Sequence, residues 1–536
     1  MRKRILPILF FTCVTFGMAA QSDTTYTNPV VSQSLPDPTV IRASDGYFYL
    51  YATEDIHNVP IFRSENLVNW TFLRTAFTNQ TRPNFEPNGG IWAPDINYIN
   101  GKYVLFYAMS VWGGGETCGI GVAISNNPGG PFTDKGKLFR SNEIGVHNSI
   151  DPCYVEDNGK KYLFWGSFFG IYCVELSDDG LSLKNPANPQ PVTVAGTAFE
   201  AVYIHKRGNY YYMFASIGSC CEGLNSTYRL VVGRSQSLTG PYLNKQGQSM
   251  LSNGYSPVVN SNVRFKGNGH CSKIVQDDAG NDWILFHGYD AENPSNGRVP
   301  LLNRVNWDIN NWPNVENASP ATTATKPLFG LNASQNLYIM GGPLNKNIAG
   351  GNWLLKDAVG MERDTLKPFV FYYRGELRYN TFGDEPGNIK FLVGRTWNDN
   401  YHPAGTTNVP LLQATKIRRN GDDTKWTIPE DRSGDGYYAI TVNTLDETIE
   451  VNFEPGTAIT PLKANDRVNV FASDRKLFVQ DAKRQILKVS VSGINGIKLL
   501  EKSFSGHAEF SLPEGFYIVK VTNSENETFT KKVIIY

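Results

Sequence analysis

Gly46-Tyr-Phe-Tyr-Leu-Tyr51 begins a pattern that returns as Gly101-Lys-Tyr-Val-Leu-Phe-Tyr107, Gly159-Lys-Lys-Tyr-Leu-Phe-Trp165 and Gly208-Asn-Tyr-Tyr-Tyr-Met-Phe214. A looser copy runs Gly280-Asn-Asp-Trp-Ile-Leu-Phe-His287. Each is an aromatic-rich strand behind a turn glycine. The glycines are 55, 58, 49 and 72 residues apart. A repeat of about 50 residues, built of strands and turns, is the signature of a propeller. A short polar element precedes each strand: Asp37-Pro38, Trp92-Ala-Pro-Asp95, Asp151-Pro152, Glu200-Ala201 and Gly269-His270. Equivalent positions of a propeller point at one axis, so acids far apart in sequence are expected to converge.

The predicted fold is therefore all-β: a five-bladed β-propeller over residues 25–320, followed by two smaller β-sandwich-like domains. Helical periodicity is nearly absent in the repeats. Polar turns such as Arg63-Ser64, Gly130-Pro131-Phe132 and Gly240-Pro241-Tyr242 end the outer strands. Residues 317–327, rich in Ala, Thr, Ser and Pro, read as a linker. The second domain is expected over 328–455, from strands such as Phe369-Val-Phe-Tyr-Tyr373, with Trp353, Trp397 and Trp426 in or beside its loops. The third is expected over 460–536, where short strands are broken by Gly493, Asn495-Gly496 and Pro513-Glu-Gly515.

Lys and Arg total 50, as do Asp and Glu, so the formal charge is zero. That removes the electrostatic basis for nucleic acid or a membrane surface as partner. Arg2, Lys3 and Arg4, an apolar run from Ile5 to Phe16, and Met18-Ala-Ala20 before Gln21 read as a signal peptide over residues 1–20. The run is too short to span a bilayer. The protein is expected to be exported, to periplasm, cell surface or medium, as a monomer without membrane insertion. Six cysteines remain after the signal: Cys118, Cys153, Cys173, Cys220, Cys221 and Cys271. Export permits disulfides, and neighbouring Cys220 and Cys221 are either bonded to each other or two reduced thiols in a loop.

Three carboxylates, Asp37, Asp151 and Glu200, stand at equivalent repeat positions. Inverting glycoside hydrolysis needs such a set: one carboxylate activates water, another protonates the leaving oxygen, and ~6.5–9.5 Å between them leaves room for the water. A third acid near the proton donor raises its pKa, because like charges resist joint ionisation. A single Asp-Pro at a strand start is usually a turn former; three acids in register are not explained that way. Asp95 is a fourth acid, either facing the axis or capping a turn.

The segments Leu35-Pro-Asp-Pro-Thr-Val-Ile41, Ile91-Trp-Ala-Pro-Asp-Ile96, Ser149-Ile-Asp-Pro152 and Phe199-Glu-Ala201 together resemble the five-bladed glycosidases of family 43. The resemblance implies Asp37 as general base, Glu200 as general acid and Asp151 as the residue that tunes and orients the acid. Ser219-Cys-Cys-Glu-Gly-Leu-Asn-Ser-Thr-Tyr228, with Val232-Gly-Arg-Ser235 and Thr239-Gly-Pro-Tyr242, is similar to a segment of the family's arabinan endo-1,5-α-L-arabinosidases. This implies a plant cell-wall polysaccharide, arabinan or a related pentose polymer, as partner. Gly267-Asn-Gly-His270 resembles the family's element whose histidine reaches an axial cation, usually calcium surrounded by water; a core imidazole is the other reading. Arg298 resembles a substrate-contacting arginine, and a surface loop arginine is its alternative. Trp92 either stacks on a sugar or packs in the core. The middle domain resembles β-sandwich modules of outer-membrane starch-binding proteins, and so either binds glycan or spaces. The last resembles sorting domains of type IX secretion. Two other functions stay open: an exo-acting α-L-arabinofuranosidase or β-xylosidase of the same family, and a non-catalytic glycan-binding propeller, which the presence of all three acids disfavours.

Overall fold

The structure, a computed structural model, describes residues 24–344, 353–380, 385–455, 468–473, 476–481, 486–493, 497–522 and 528–535. The expected signal peptide lies outside the described residues. Among these, the chain is all-β, with one α-helix of four residues, Ser141–Ile144, and short 3-10 turns. No helix among them is long and apolar enough to cross a membrane.

After β1 (Thr25–Thr27), the chain lays down three four-stranded antiparallel sheets in sequence order. The first is β2 (Thr39–Arg42), β3 (Phe48–Tyr51), β4 (Pro60–Ser64) and β5 (Thr71–Thr75). The second is β6 (Gly90–Ile99), β7 (Lys102–Ser110), β8 (Gly119–Ser125) and β9 (Thr133–Arg140). The third is β10 (Cys153–Asp157), β11 (Lys160–Trp165), β12 (Ile171–Glu175) and β13 (Val192–Ala195). A nine-stranded group follows. Its first part is β14 (Glu200–Arg207), β15 (Tyr210–Ile217), β16 (Arg229–Ser235) and β17 (Ser256–Val259). Its second part is β18 (Phe265–Gly269), β19 (Val275–Gln276), β20 (Asp282–Asp290), β21 (Arg298–Trp307) and β22 (Pro313–Asn314). One parallel residue pair, Arg229 with Asn268, joins the two parts, which are called the fourth and fifth sheets below.

The five Gly-led aromatic stretches form β3, β7, β11, β15 and β20. Their alternation explains their composition. Successive strand residues point to opposite faces, and both faces of these strands are buried against a neighbouring sheet. Tyr49 and Tyr51 pack with Leu105 and Tyr107 of the second sheet, while Phe48 and Leu50 pack with Trp283 and Leu285 of the fifth. Val104 and Phe106 meet Leu163 and Trp165. Phe164 shares a core with Tyr212 and Phe214, and that core continues to Ile284 and Phe286. Burial of each such side chain stabilises by roughly 1.5–3 kcal/mol.

The two ends of this region meet. β1 pairs antiparallel with β23 (Thr323–Thr325). Asn28 donates from Nδ2 to the Leu302 carbonyl at 2.8 Å and accepts the Leu302 N–H at 2.9 Å. Leu35 N–H donates to the Arg298 carbonyl at 2.9 Å. The expected linker at 317–327 is thus partly a strand: β-branched Thr323 and Thr325 extend the chain and pair with the N-terminal segment.

The described residues form two compact units. One runs to Arg374 and includes Asn380–Thr427 and Ala439–Val451; the other comprises Gly375–Tyr379, Ile428–Tyr438 and Asn452 onward. In the first, a further sheet holds Leu337–Gly341, Asn388–Val393 and Asn400–Pro403. Trp426 belongs to this sheet as a strand residue, fully buried against Phe391, and not to a loop, whereas Trp397 is 43% exposed. In the second unit, Lys498–Ser505, Ile486–Gly493, Gly515–Thr522 and Thr528–Ile535 form an antiparallel sheet over an aliphatic core of Leu487, Val489, Val491, Val519 and Val521.

Candidate active site

Five residues adopt the left-handed backbone conformation near the start of successive sheets: Asp37 (φ 54°), Ala93 (φ 39°), Asp151 (φ 59°), Ala201 (φ 56°) and His270 (φ 48°). None is glycine, and such geometry costs of order 1–3 kcal/mol per residue unless the surroundings hold it. Side chains of the neighbouring sheet do so. Ala93 N–H donates to Thr53 Oγ1 at 2.7 Å, Ala201 N–H to Asp151 Oδ2 at 3.0 Å, and His270 N–H to Ser216 Oγ at 2.9 Å. Asp37 N–H donates to His287 Nδ1 at 3.0 Å. The second and third sheets are tied by Tyr154 N–H donating to Asp95 Oδ2 at 2.7 Å. These bonds run from each sheet to the next and from the fifth back to the first.

The outcome is a cavity of about 460 Å³ lined by Asp37, Asp151, Glu200, Trp92, His270 and Arg298, so it gathers all six expected site residues. Asp95 lies outside this lining. It is buried, and Lys273 reaches it from the fifth sheet at 3.1 Å. Trp92 packs against Ala108, Cys118 and Ile150 and also lines the cavity, with its ring tilted on Trp112, 5.6 Å between centroids.

The carboxylates sit in opposite surroundings. Asp37 Oδ1 lies 3.2 Å from His270 Nδ1 and 3.4 Å from Arg298 Nη1, and Thr53 Oγ1 donates to its Oδ2 at 2.6 Å. Burial alone would raise its pKa, but Arg298 and His270 hold it well below the ordinary carboxylate range. Among the described residues, Glu200 has no ion-pair partner. Ser167 Oγ donates to its Oε2 at 2.7 Å, and the Tyr228 hydroxyl hydrogen-bonds to it. Burial first and Asp151 second push Glu200 up to about 7. Asp151 is itself raised, mainly by burial. His270 is raised despite burial, because Asp37 pairs with it. His287 is fully buried and pushed down to about 4 by burial, so the neutral ring accepts at Nδ1 and carries its proton on Nε2.

Sequence reasoning passed over Thr53, Ser167, Ser216 and His287. Each lies seven or eight residues after the turn glycine: Thr53 and Ser167 just past their strands, Ser216 next to the last residue of β15, and His287 within β20. A polar residue at that fixed offset from the glycine was the available signal. Gly269, beside His270 in the sequence, has a packing reason: a Cβ there would meet the Tyr228 ring at 2.4 Å, so only glycine lets that phenol approach Glu200.

The cysteine pairing is resolved. Cys220 and Cys221 are bonded to each other at the cavity, while Cys118, Cys153, Cys173 and Cys271 are buried free thiols.

Residues 26–313 match the family described as glycosyl hydrolases family 43. The chain is 36% identical over 309 residues to an extracellular exo-α-(1→5)-L-arabinofuranosidase of Cellvibrio japonicus, covering 52% of this chain and 86% of that relative. It is 35% identical over 294 residues to an extracellular endo-α-(1→5)-L-arabinanase of Bacillus subtilis, covering 53% and 88%. Among solved structures, the α-L-arabinanase of Cellvibrio cellulosa complexed with arabinohexaose is 32% identical, with a TM-score of 0.48 over 53% of this chain and 95% of that one.

Proposed function

The chain belongs to glycosyl hydrolases family 43 and is a glycoside hydrolase; from that premise we propose that it cleaves α-1,5-linked L-arabinofuranose chains of arabinan with inversion, in the cavity of a five-bladed propeller over residues 25–320. The domains at 328–455 and 460–536 are read as appended β-sandwich modules. The observation that carries the reaction is the opposed setting of two carboxylates in one cavity: Asp37 against Arg298 and His270, Glu200 against Ser167 and Asp151. The return of the inter-sheet bonds from the fifth sheet to the first supports the propeller.

Asp37, ionised, takes a proton from a water that attacks the anomeric carbon. Glu200, protonated, gives its proton to the departing glycosidic oxygen. Burial, with like-charge repulsion from Asp151 second, keeps Glu200 protonated, and Asp151 also holds the fourth sheet through the Ala201 N–H. Attack from the face opposite the leaving oxygen inverts the anomeric centre. Arg298 and Trp92 are read as substrate contacts.

His270 would hold a calcium ion through Nε2, its Nδ1 being turned onto Asp37. No group of three or more His, Cys, Asp or Glu among the described residues could hold a metal ion. The donor set therefore fits a water-shelled ion and not a protein cage. Such an ion would offset the negative charge of the three acids. Export is supported by the relatives, both extracellular.

Following the anomer by NMR early in hydrolysis tests the chemistry: inversion is expected, and retention, or a sugar trapped on either carboxylate, refutes the base role of Asp37. Products from linear arabinan, branched arabinan and xylan test the substrate and the mode, oligosaccharides marking endo action and monosaccharide exo action.

A further inference from the structure

The cavity wall on the fourth sheet carries a feature that the hydrolytic machinery leaves unused. The loop from Gly218 to Tyr228 joins β15 to β16. It is pinched shut at its base, where Thr227 N–H and Tyr228 N–H both donate to the Ser219 carbonyl, at 3.1 and 3.0 Å, and Ser219 N–H donates to Thr227 Oγ1 at 3.0 Å. Glu222 N–H donates to Ser226 Oγ at 2.9 Å and braces its far side. Between these clamps the Cys220–Cys221 disulfide faces the cavity, with Cys221 exposed and Cys220 half-buried.

A bonded pair of neighbouring cysteines presents two sulfurs without a hydrogen-bond donor of their own, on a backbone held in one conformation. Such a surface is polarisable and apolar, suited to the ring face of a sugar rather than to its hydroxyls. Its position assigns a side. The loop and Glu200 belong to the same sheet, whereas Asp37 stands on the first. The proton donor faces the leaving oxygen, so the leaving sugar lies on the donor's side.

We propose that the Cys220–Cys221 disulfide is a specificity-determining wall for the leaving-group furanose, and that reducing it weakens the hold on the chain without disturbing hydrolysis. This rests on the arabinan reading above. The reduction is defined: a water-soluble phosphine gives two electrons to the disulfide, water supplies the oxygen of the phosphine oxide and the two protons, and two thiols result. Cys220–Cys221 is the sole disulfide among the described residues, and the four other thiols there are buried, with Cys153 and Cys173 pushed up to about 12 by burial. Reductant therefore acts at one place in them.

The test compares the oxidised full-length enzyme, the phosphine-reduced enzyme and the Cys220→Ser/Cys221→Ser variant on linear α-1,5-arabino-oligosaccharides and on an aryl α-L-arabinofuranoside, whose leaving group is not a sugar. Reduction and the double substitution should each raise KM for the oligosaccharide about tenfold. They should leave its kcat, and both constants for the aryl substrate, within about twofold. An unchanged oligosaccharide KM overturns the wall. Equal losses on both substrates also overturn it, because the loop then acts on Glu200 through Tyr228. Oxidised enzyme inactive on both substrates overturns the arabinan reading, and the wall with it. Circular dichroism of the reduced and substituted forms separates a misfolded variant from a true KM effect.

Discussion

Residues 24–325 and residues 468–535 are both built of antiparallel strands, yet they bury opposite things. The first region takes Asp37, Asp95, Asp151, Glu200, His287, Asp282 and Asp290 out of solvent. Among the described residues of the second, the buried side chains are apolar or aromatic, with no buried polar or charged group. Burying an unpaired charge costs several kcal/mol, and the first region meets that cost with tethers from one sheet to the next. Chemistry sits where the ordinary rule of burial is broken and compensated. Where the rule is kept, the sheet has only its own packing to maintain.

The sharpest way to break this contrast is at the two acids. Asp37→Asn and Glu200→Gln should each lower kcat by about 10³–10⁴ while the protein stays folded. An aryl substrate, which needs little protonation, should partly rescue the Glu200 variant and not the Asp37 variant. Equal rescue would reverse or abolish the assigned roles.

A smaller effect, about tenfold in turnover with a lowered Tm, is expected for His270→Ala and for exhaustive chelation. Elemental analysis should find calcium in the purified protein. Protein free of metal, with chelator changing neither rate nor melting, would leave His270 as the partner of Asp37 alone.

The pH dependence of stability gives a finer probe. Glu200 is raised to about 7 in the fold, above the unfolded value of roughly 4.3. Below both values the folded and unfolded chains hold the proton equally. As pH rises between them the unfolded chain releases it first, so stability falls until about pH 7. Glu200→Gln cannot ionise, and its Tm should exceed that of wild type at pH 8 and match it at pH 4. Asp37 runs the other way: its depressed pKa contributes stability that is lost as pH falls through the folded value. The same ionisation should make kcat/KM decline above about pH 7.

The smallest effect on activity belongs to the second region. Leu487→Ala, at a fully buried position, should destabilise its own sheet by about 2–5 kcal/mol while turnover of soluble arabinan stays unchanged. A matching loss of turnover would mean that the two regions are not independent in function.

Much of this was legible in the chain. The Gly-led stretches announced the strands, because a strand buried on both faces needs large apolar residues at every position. Asp37, Asp151, Glu200 and His270 were found by register, since equivalent positions of repeated sheets reach one place. Thr53, Ser216 and His287 were not, because a lone polar residue in or just past an apolar strand is ordinary until the left-handed N–H it serves is known. Asp95 shared the register but went to Tyr154 and Lys273: the bulge between Trp92 and Asp95 re-aims the strand. Thr323–Thr325 looked like a linker because its partner strand lies 298 residues away, from Tyr26 to Ala324, beyond the reach of any local pattern.

That last pairing also sets a timetable. The cavity draws Asp37 from the first sheet and its partners from the fifth: Asp37 meets His287 and Arg298 at sequence separations of 250 and 261, and Asn28 meets Leu302 at 274. Contacts so distant form late, since the entropy of closing the intervening chain must be met before they contribute. A growing chain can assemble its early sheets one by one, yet Asp37 has neither His287 nor Arg298 beside it until the fifth arrives. Activity is therefore the last property this region acquires, and it comes all at once.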